Sequence, residues 1–279
     1  MSVAITADEV TLWARYIQET CGIVLDQSKA YLLETRLGGL LRETGASGFS
    51  ELFYRLRADP SDTLRGKVVD AITTNETSFF RDSAPFELLQ NKILPELVDR
   101  RSKTKVRPIS IRIWSAACST GQEVYTIGIV LKEMLGSLAG YDIRILGTDI
   151  SNQAIAAASR GYFSQLEMGR GLPLSTMERH FTREAANWKI RDEIRALATF
   201  RKMNLLEPFT FPVPFDIILC RNVAIYFAEQ DRARMFNNFA RCIARDGGLI
   251  IGSTESLTGL CPAFVPQRYL RTVFYQLQG

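Results

Sequence analysis

Four short segments hold most of the side chains able to do chemistry. Ser115-Ala116-Ala117-Cys118-Ser119-Thr120-Gly121 is a run of small residues. Small side chains let a ligand approach the backbone closely, and Gly121 has turn conformations closed to other residues. Asp149 ends the stretch IRILGTD, 28 residues after Gly121. A carboxylate there can accept both ribose hydroxyls of an adenosine-type ligand. Arg221, Asn222 and Tyr226 follow FDIILC and put a guanidinium, an amide and a phenol on one short turn. Thr73-Thr74-Asn75-Glu76-Thr77-Ser78 is dense in hydrogen-bonding groups and runs into Phe79-Phe80-Arg81-Asp82. Each segment also has a plain structural reading. The first is a tight strand-to-helix turn, the second competes with Ser151 as a helix cap, and TTNETS can simply end a helix.

The elements that must position these segments follow from periodicity. ISIRIW (109–114), IRILGTDIS (143–151), FDIILC (215–220) and GGLIIGSTE (247–255) are β-branched runs. The first two lead into the helical stretches EVYTIGIVLKEML and NQAIAAASRG. This alternation predicts a parallel doubly wound α/β sheet, in which ligands bind beyond the carboxyl ends of the strands. The small-residue run, Asp149 and the Arg221–Tyr226 turn then face one cleft. The two leading strand exits favour a nucleoside-containing cofactor, and the missing G-x-G-x-x-G disfavours a dinucleotide oxidoreductase. RYLRTVFYQL alternates like an edge strand. RHFTREAANWKIRDEIRALATFRKMN, within 160–204, reads as short antiparallel strands inserted in the sheet domain.

Before that lies a different grammar. From about 7 to 74, apolar residues recur at helical spacing, with breaks at CGI (21–23), TGASG (44–48) and ADPSD (58–62). Four short helices without a strand signal predict an all-α domain. RRSKTKVR (100–107) reads as a basic, flexible surface connection. The expected organisation is a helical domain over 1–75, a linker and connecting helix over 76–107, and a sheet domain over 108–279 with its β insert at about 178–203.

Composition narrows the chemistry. Lysine plus arginine is 34 and aspartate plus glutamate 30, a net charge of +4, too small for a dedicated nucleic-acid binder. The single histidine, His180, excludes His-rich metal sites and most imidazole relays. Five scattered cysteines, an odd number with no C-x-x-C pair, fit reduced thiols in the cytoplasm and no metal centre. Cys118 and Cys220 stand at strand exits but read as small buried thiols. MSVAITADEV has no signal-peptide pattern, and no apolar run approaches the roughly 18 residues of a membrane span.

TTNETSFFRD, WSAACSTGQE, GTDIS, NLL (204–206) and CRNVAIYF, in that order and spacing, resemble the CheR-type chemotaxis receptor methyltransferases over essentially the whole chain. The resemblance implies a Rossmann-like S-adenosylmethionine-dependent methyltransferase domain with a small antiparallel β-subdomain, preceded by an all-α domain. It implies methylation of glutamate side chains on the cytoplasmic helices of chemoreceptors, leaving S-adenosylhomocysteine. The cofactor-binding residues it implies are Asn75, Thr77, Arg81, Ala116, Gly121, Glu123, Asp149, Asn204, Leu205, Arg221, Asn222 and Val223, with Arg81 and Tyr226 beside the transferred methyl. Gln122 departs from the family's common Glu, next to the retained Glu123.

A glutamate acceptor is already ionised at neutral pH, so no general base is required and a chain with one histidine suffices. A negative oxygen attacking a positive sulfur favours a site that excludes water and aligns the reactants. Arg81 is expected to orient rather than neutralise the acceptor, and the Tyr226 hydroxyl to position its oxygen. Arg36 and Arg42, among five arginines between 36 and 65, are expected to dock the glutamate-rich receptor helices. The short turn TREAANWK (182–189) lacks the longer glycine-containing loop of members that need a receptor's C-terminal pentapeptide. Nothing requires more than a monomer. The alternative is a regulatory module that binds S-adenosylmethionine without turnover.

Overall fold

The computed structural model describes residues 3–104 and 106–278. Its helical domain comprises α1 (Ala7–Cys21), α2 (Ala30–Thr44), α3 (Phe49–Ala58) and α4 (Thr63–Ile72). Thr6 starts α1 with a capping box to Glu9, and Gly22 ends it in a left-handed conformation. The apolar faces meet around Trp13, Leu33, Leu37, Phe49 and Leu52, and the Trp13 indole donates to the Phe49 carbonyl at 3.1 Å.

After α5 (Ser83–Leu88), a π turn at Leu89–Ile93 and α6 (Leu94–Ser102), the sheet domain begins. Part of the stretch expected to be a flexible connection is ordered. Arg100 and Arg101 lie in α6, and Arg101 pairs with the buried Asp216 and with the Ser110 carbonyl, because a buried carboxylate requires a cation and donors.

The main sheet contains β1 (Ile109–Ala116), β2 (Tyr141–Asp149), β6 (Ala198–Lys202), β7 (Phe215–Cys220), β8 (Ile243–Ile251), β9 (Phe264–Tyr269) and β10 (Thr272–Leu277). Strands run in the order β6-β2-β1-β7-β8-β10-β9, parallel from β6 through β8 and antiparallel thereafter. α7 (Gln122–Leu135) and α8 (Asn152–Arg160) follow β1 and β2, and α12 (Glu229–Cys242) lies between β7 and β8. Chain order turns back at the β1–β7 boundary, the switch point where such sheets bind ligands. Two apolar layers cover the sheet, one around Ile111, Ile113, Ile127 and Leu131, the other around Trp114, Phe236 and Phe239.

Two expectations are corrected. The β insert is a three-stranded antiparallel sheet of β3 (Tyr162–Ser164), β4 (Phe181–Glu184) and β5 (Asn187–Ile190), ordered β3-β5-β4. It starts earlier than 178, and the stretch ATFRK, expected inside it, is β6, a parallel edge strand on β2. Short helices α9 (Gln165–Met168) and α10 (Leu174–His180) complete the insert, and α11 (Asp192–Arg195) returns the chain to β6. The final alternating segment, 268–277, spans the end of β9, which is the sheet edge, and β10, which lies between β8 and β9. A strand's alternation shows that one face is buried and says nothing about how many neighbours it has.

Candidate functional site

The exits of β1, β2 and β7 and the segment 73–81 wall a single cleft, the concave setting in which small-molecule sites occur. After β1 the backbone winds through left-handed conformations at Ala117, Ser119 and Gly121. Small side chains make that path possible, and Ala117, Cys118 and Ser119 form part of the cleft wall. Gly121 itself lies away from the cleft wall. A Cβ there would meet the Ala158 Cβ at 2.9 Å, so the glycine permits close packing of α7 on α8. Ala116, buried in β1, also lies behind the cleft, and Ala117 takes its place in the wall.

Asp149, 7% exposed, ends β2. Its carboxylate accepts the Ser119 and Ser151 amides, each at 2.9 Å, one on each oxygen. Burial pushes its pKa above the ordinary aspartate value, against those amides, which pull it down. Each oxygen keeps further acceptor capacity, the chemistry a vicinal diol needs.

Asn75, Thr77 and Arg81 line the opposite side. Their segment is held at several points. The Ser119 hydroxyl donates to the Asn75 carbonyl at 3.0 Å, the Phe80 amide donates to Thr126 Oγ1 at 3.2 Å, and Arg81 Nη1 donates to the Glu76 carbonyl at 2.8 Å. Phe79 plugs the segment into the small sheet, its ring 4.9 Å from Phe163 and 5.3 Å from Phe181.

Arg221 belongs to the same bracing. Its buried guanidinium binds Glu123 at 2.9 Å, Asp82 at 3.0 Å and the Arg81 carbonyl at 2.6 Å, and Ser115 donates to the other Glu123 oxygen at 2.7 Å. Arg221 and Glu123 reach the cleft wall as expected, but each spends its charge on the other. Asn222 (φ 59°), Val223 and Tyr226 continue the wall, with Tyr226 carried by a 3₁₀ turn at Ala224–Tyr226. Asn204 and Leu205 close the adjoining side. Cys118 and Cys220 are buried with thiols pushed well up by desolvation, and so are inert.

The helical domain completes the cleft. Thr73 and Thr74, from the polar segment already singled out, are wall residues, and so are Cys21 and Ile23, which the sequence did not indicate. Ile23 makes an antiparallel bridge to Phe227, the Val24 amide donates to the Tyr226 carbonyl at 3.0 Å, and Asn204 Nδ2 donates to the Thr20 carbonyl at 3.0 Å. At Cys21 and Ile23 the sequence signal was Gly22, whose missing side chain leaves room for Leu206 and Phe227.

Arg36 does not present its charge outward as expected. It donates to the Ile72 carbonyl and, at 2.8 Å, to Thr74 Oγ1, because the last carbonyls of α4 need donors. Arg42 is exposed on α2. His180 is buried, 3.0 Å from Glu133, and is not a residue of the cleft wall.

Among the described residues there is no His/Cys/Asp/Glu cluster suited to a metal, and no helix long and apolar enough to cross a membrane. The family described as CheR methyltransferase, all-alpha domain, matches residues 8–73, and CheR methyltransferase, SAM binding domain, matches residues 75–267. The chain is 36% identical to chemotaxis protein methyltransferase Cher2 of Pseudomonas putida, over 88% of this chain and 89% of that one. It is 37% identical to chemotaxis protein methyltransferase 1 of Pseudomonas aeruginosa, over 89% and 90%. It is 36% identical to chemotaxis protein methyltransferase 1 of Vibrio cholerae, over 99% of each chain.

Proposed function

The chain belongs to the CheR methyltransferase family, and from that premise we propose how its cleft carries out S-adenosylmethionine-dependent methylation of chemoreceptor glutamates. The carrying observation is that all five motif segments, although spread over some 150 residues, wall one cleft at the switch point. Its polar groups fit the cofactor: a buried carboxylate that accepts from a diol, a small-residue wall after β1 that lets the ligand approach closely, and polar side chains from 73–81.

Asp149 holds the ribose, Asn204 and Leu205 flank the base, and Asn75, Thr77, Glu123, Asn222 and Val223 contact the remainder. Bound there, S-adenosylmethionine supplies an electrophilic methyl on a positively charged sulfur. The acceptor glutamate enters ionised, so the protein supplies no base. Arg81, its guanidinium steadied by the Glu76 carbonyl, orients the acceptor carboxylate without clamping it. Tyr226, 40% exposed at the mouth, positions the attacking oxygen. The helical-domain segment 21–24 over the cleft excludes water from one side.

The protein acts as a monomer in the cytoplasm. Exposed Arg42 contributes to receptor docking, and Arg36 supports the site from behind. Receptor engagement is independent of a C-terminal pentapeptide. In support, the β4–β5 connection is a two-residue turn, Ala185–Ala186, with no longer loop.

The test is transfer of radiolabelled methyl from S-adenosylmethionine to receptor-containing membranes, recovered as base-labile ester. Wild type should label them, and Tyr226→Phe should turn over about ten- to a hundredfold more slowly. Binding of S-adenosylmethionine with no label transferred would instead identify a non-catalytic module.

A further inference from the structure

We propose that Glu255 is a positioning residue for this site, acting through the backbone of Asn222 and Val223; the proposal rests on the function given above. The chain leaving β7 has no strand partner for its first amides, and Asn222 stands in a left-handed conformation (φ 59°). That backbone is held by a carboxylate from the loop after β8. Glu255 Oε2 accepts the Asn222 amide at 3.0 Å and the Gly252 amide at 2.7 Å, and Oε1 accepts the Val223 amide at 3.1 Å. Hydrogen bonds to an ionised acceptor are roughly twice as strong as neutral ones. Three converging on one side chain fix both the height and the twist of the turn.

Glu255 is absent from the cleft wall and borders a separate groove with Ala224 and Ile225. It grips the turn from behind, while Asn222, Val223 and Tyr226 line the cleft. The link to Tyr226 is short, since its amide donates to the Val223 carbonyl at 3.1 Å. Gly252 belongs to the same device. A Cβ there would stand 2.6 Å from Glu255 Oε2 and 3.0 Å from the Asn222 nitrogen, so the glycine lets the carboxylate reach the turn.

Two variants test the assignment. Glu255→Gln turns one acceptor oxygen into a donor, so at least one of the three amides faces an N–H. Gly252→Ala leaves Glu255 in place but crowds its carboxylate off the turn. Each should weaken S-adenosylhomocysteine binding, measured by calorimetry on folded protein, by about tenfold. Each should also lower kcat together with cofactor affinity while leaving KM for receptor nearly unchanged. If both variants bind S-adenosylhomocysteine and turn over like wild type, with only Tm reduced, Glu255 is merely a stabilising residue and the proposal is overturned. Should Glu255→Gln fail to fold, Gly252→Ala decides alone. If wild type fails to label receptors, the function is wrong, and the affinity comparison still decides whether Glu255 shapes the cleft.

Discussion

Asp149 shows how much of the site lives in single residues and how little of its environment a sequence reveals. An acid at the end of a strand was legible; its burial was not. Burial raises its carboxyl, and the Ser119 and Ser151 amides oppose that rise. Above the raised pKa the group is ionised and offers acceptors to a diol. As pH falls through that value, protonation removes an acceptor and binding weakens. Affinity for S-adenosylhomocysteine should therefore begin to fall on acidification at a higher pH than an ordinary aspartate, near 3.9, would produce. Asp149→Asn should flatten that dependence and bind about ten- to a hundredfold more weakly, the scale of hydrogen bonds to a charged group. Calorimetric titrations across pH for both proteins would show it, and identical pH profiles would remove Asp149 from the ribose site. Arg221 is the converse. Its type was noticed, but its partners Asp82 and Glu123 lie 139 and 98 residues away, and pairing at that separation leaves no local pattern.

At the scale of elements, periodicity found the four helices and the parallel strands, because each pattern follows from which face is buried. It misplaced β6 because an exposed edge strand of five residues looks the same whether it pairs in parallel or antiparallel fashion. Arg36 failed for a related reason. An arginine on a helix reads as a solvated charge unless the neighbouring helix end is known, and here the end of α4 takes it. That separates two residues the sequence treated alike. Arg36→Glu should lose receptor methylation and also weaken S-adenosylhomocysteine binding severalfold, since Thr74 of the cleft wall and the Ile72 carbonyl just before it lose their support. Arg42→Glu should reduce methylation through KM for receptor and leave cofactor affinity unchanged. Equal cofactor affinity in the two variants would return Arg36 to the docking surface.

The whole molecule is tied together at the cleft. Asp70 on α4 accepts the Ser151 hydroxyl at 2.7 Å at the exit of β2, Ile150 packs on the helical core, and segment 21–24 bonds to Tyr226. A ligand filling that cleft touches walls from both domains, so it must stabilise them jointly. One that binds the native state alone adds about 2.7 kcal/mol at a hundred times its Kd. The effect belongs to every amide whose opening breaks the cleft, wherever it lies in the sequence. Hydrogen exchange with saturating S-adenosylhomocysteine should therefore slow amides at 20–25 and 72–78 as well as at the exits of β1, β2 and β7. It should also protect the core of α1 around Trp13, which touches no ligand but loses its partners if the cleft side of the helical domain opens. Protection confined to the strand exits would mean that the helical domain closes over the cleft without responding to its contents, and the helical and sheet domains would then be energetically separate.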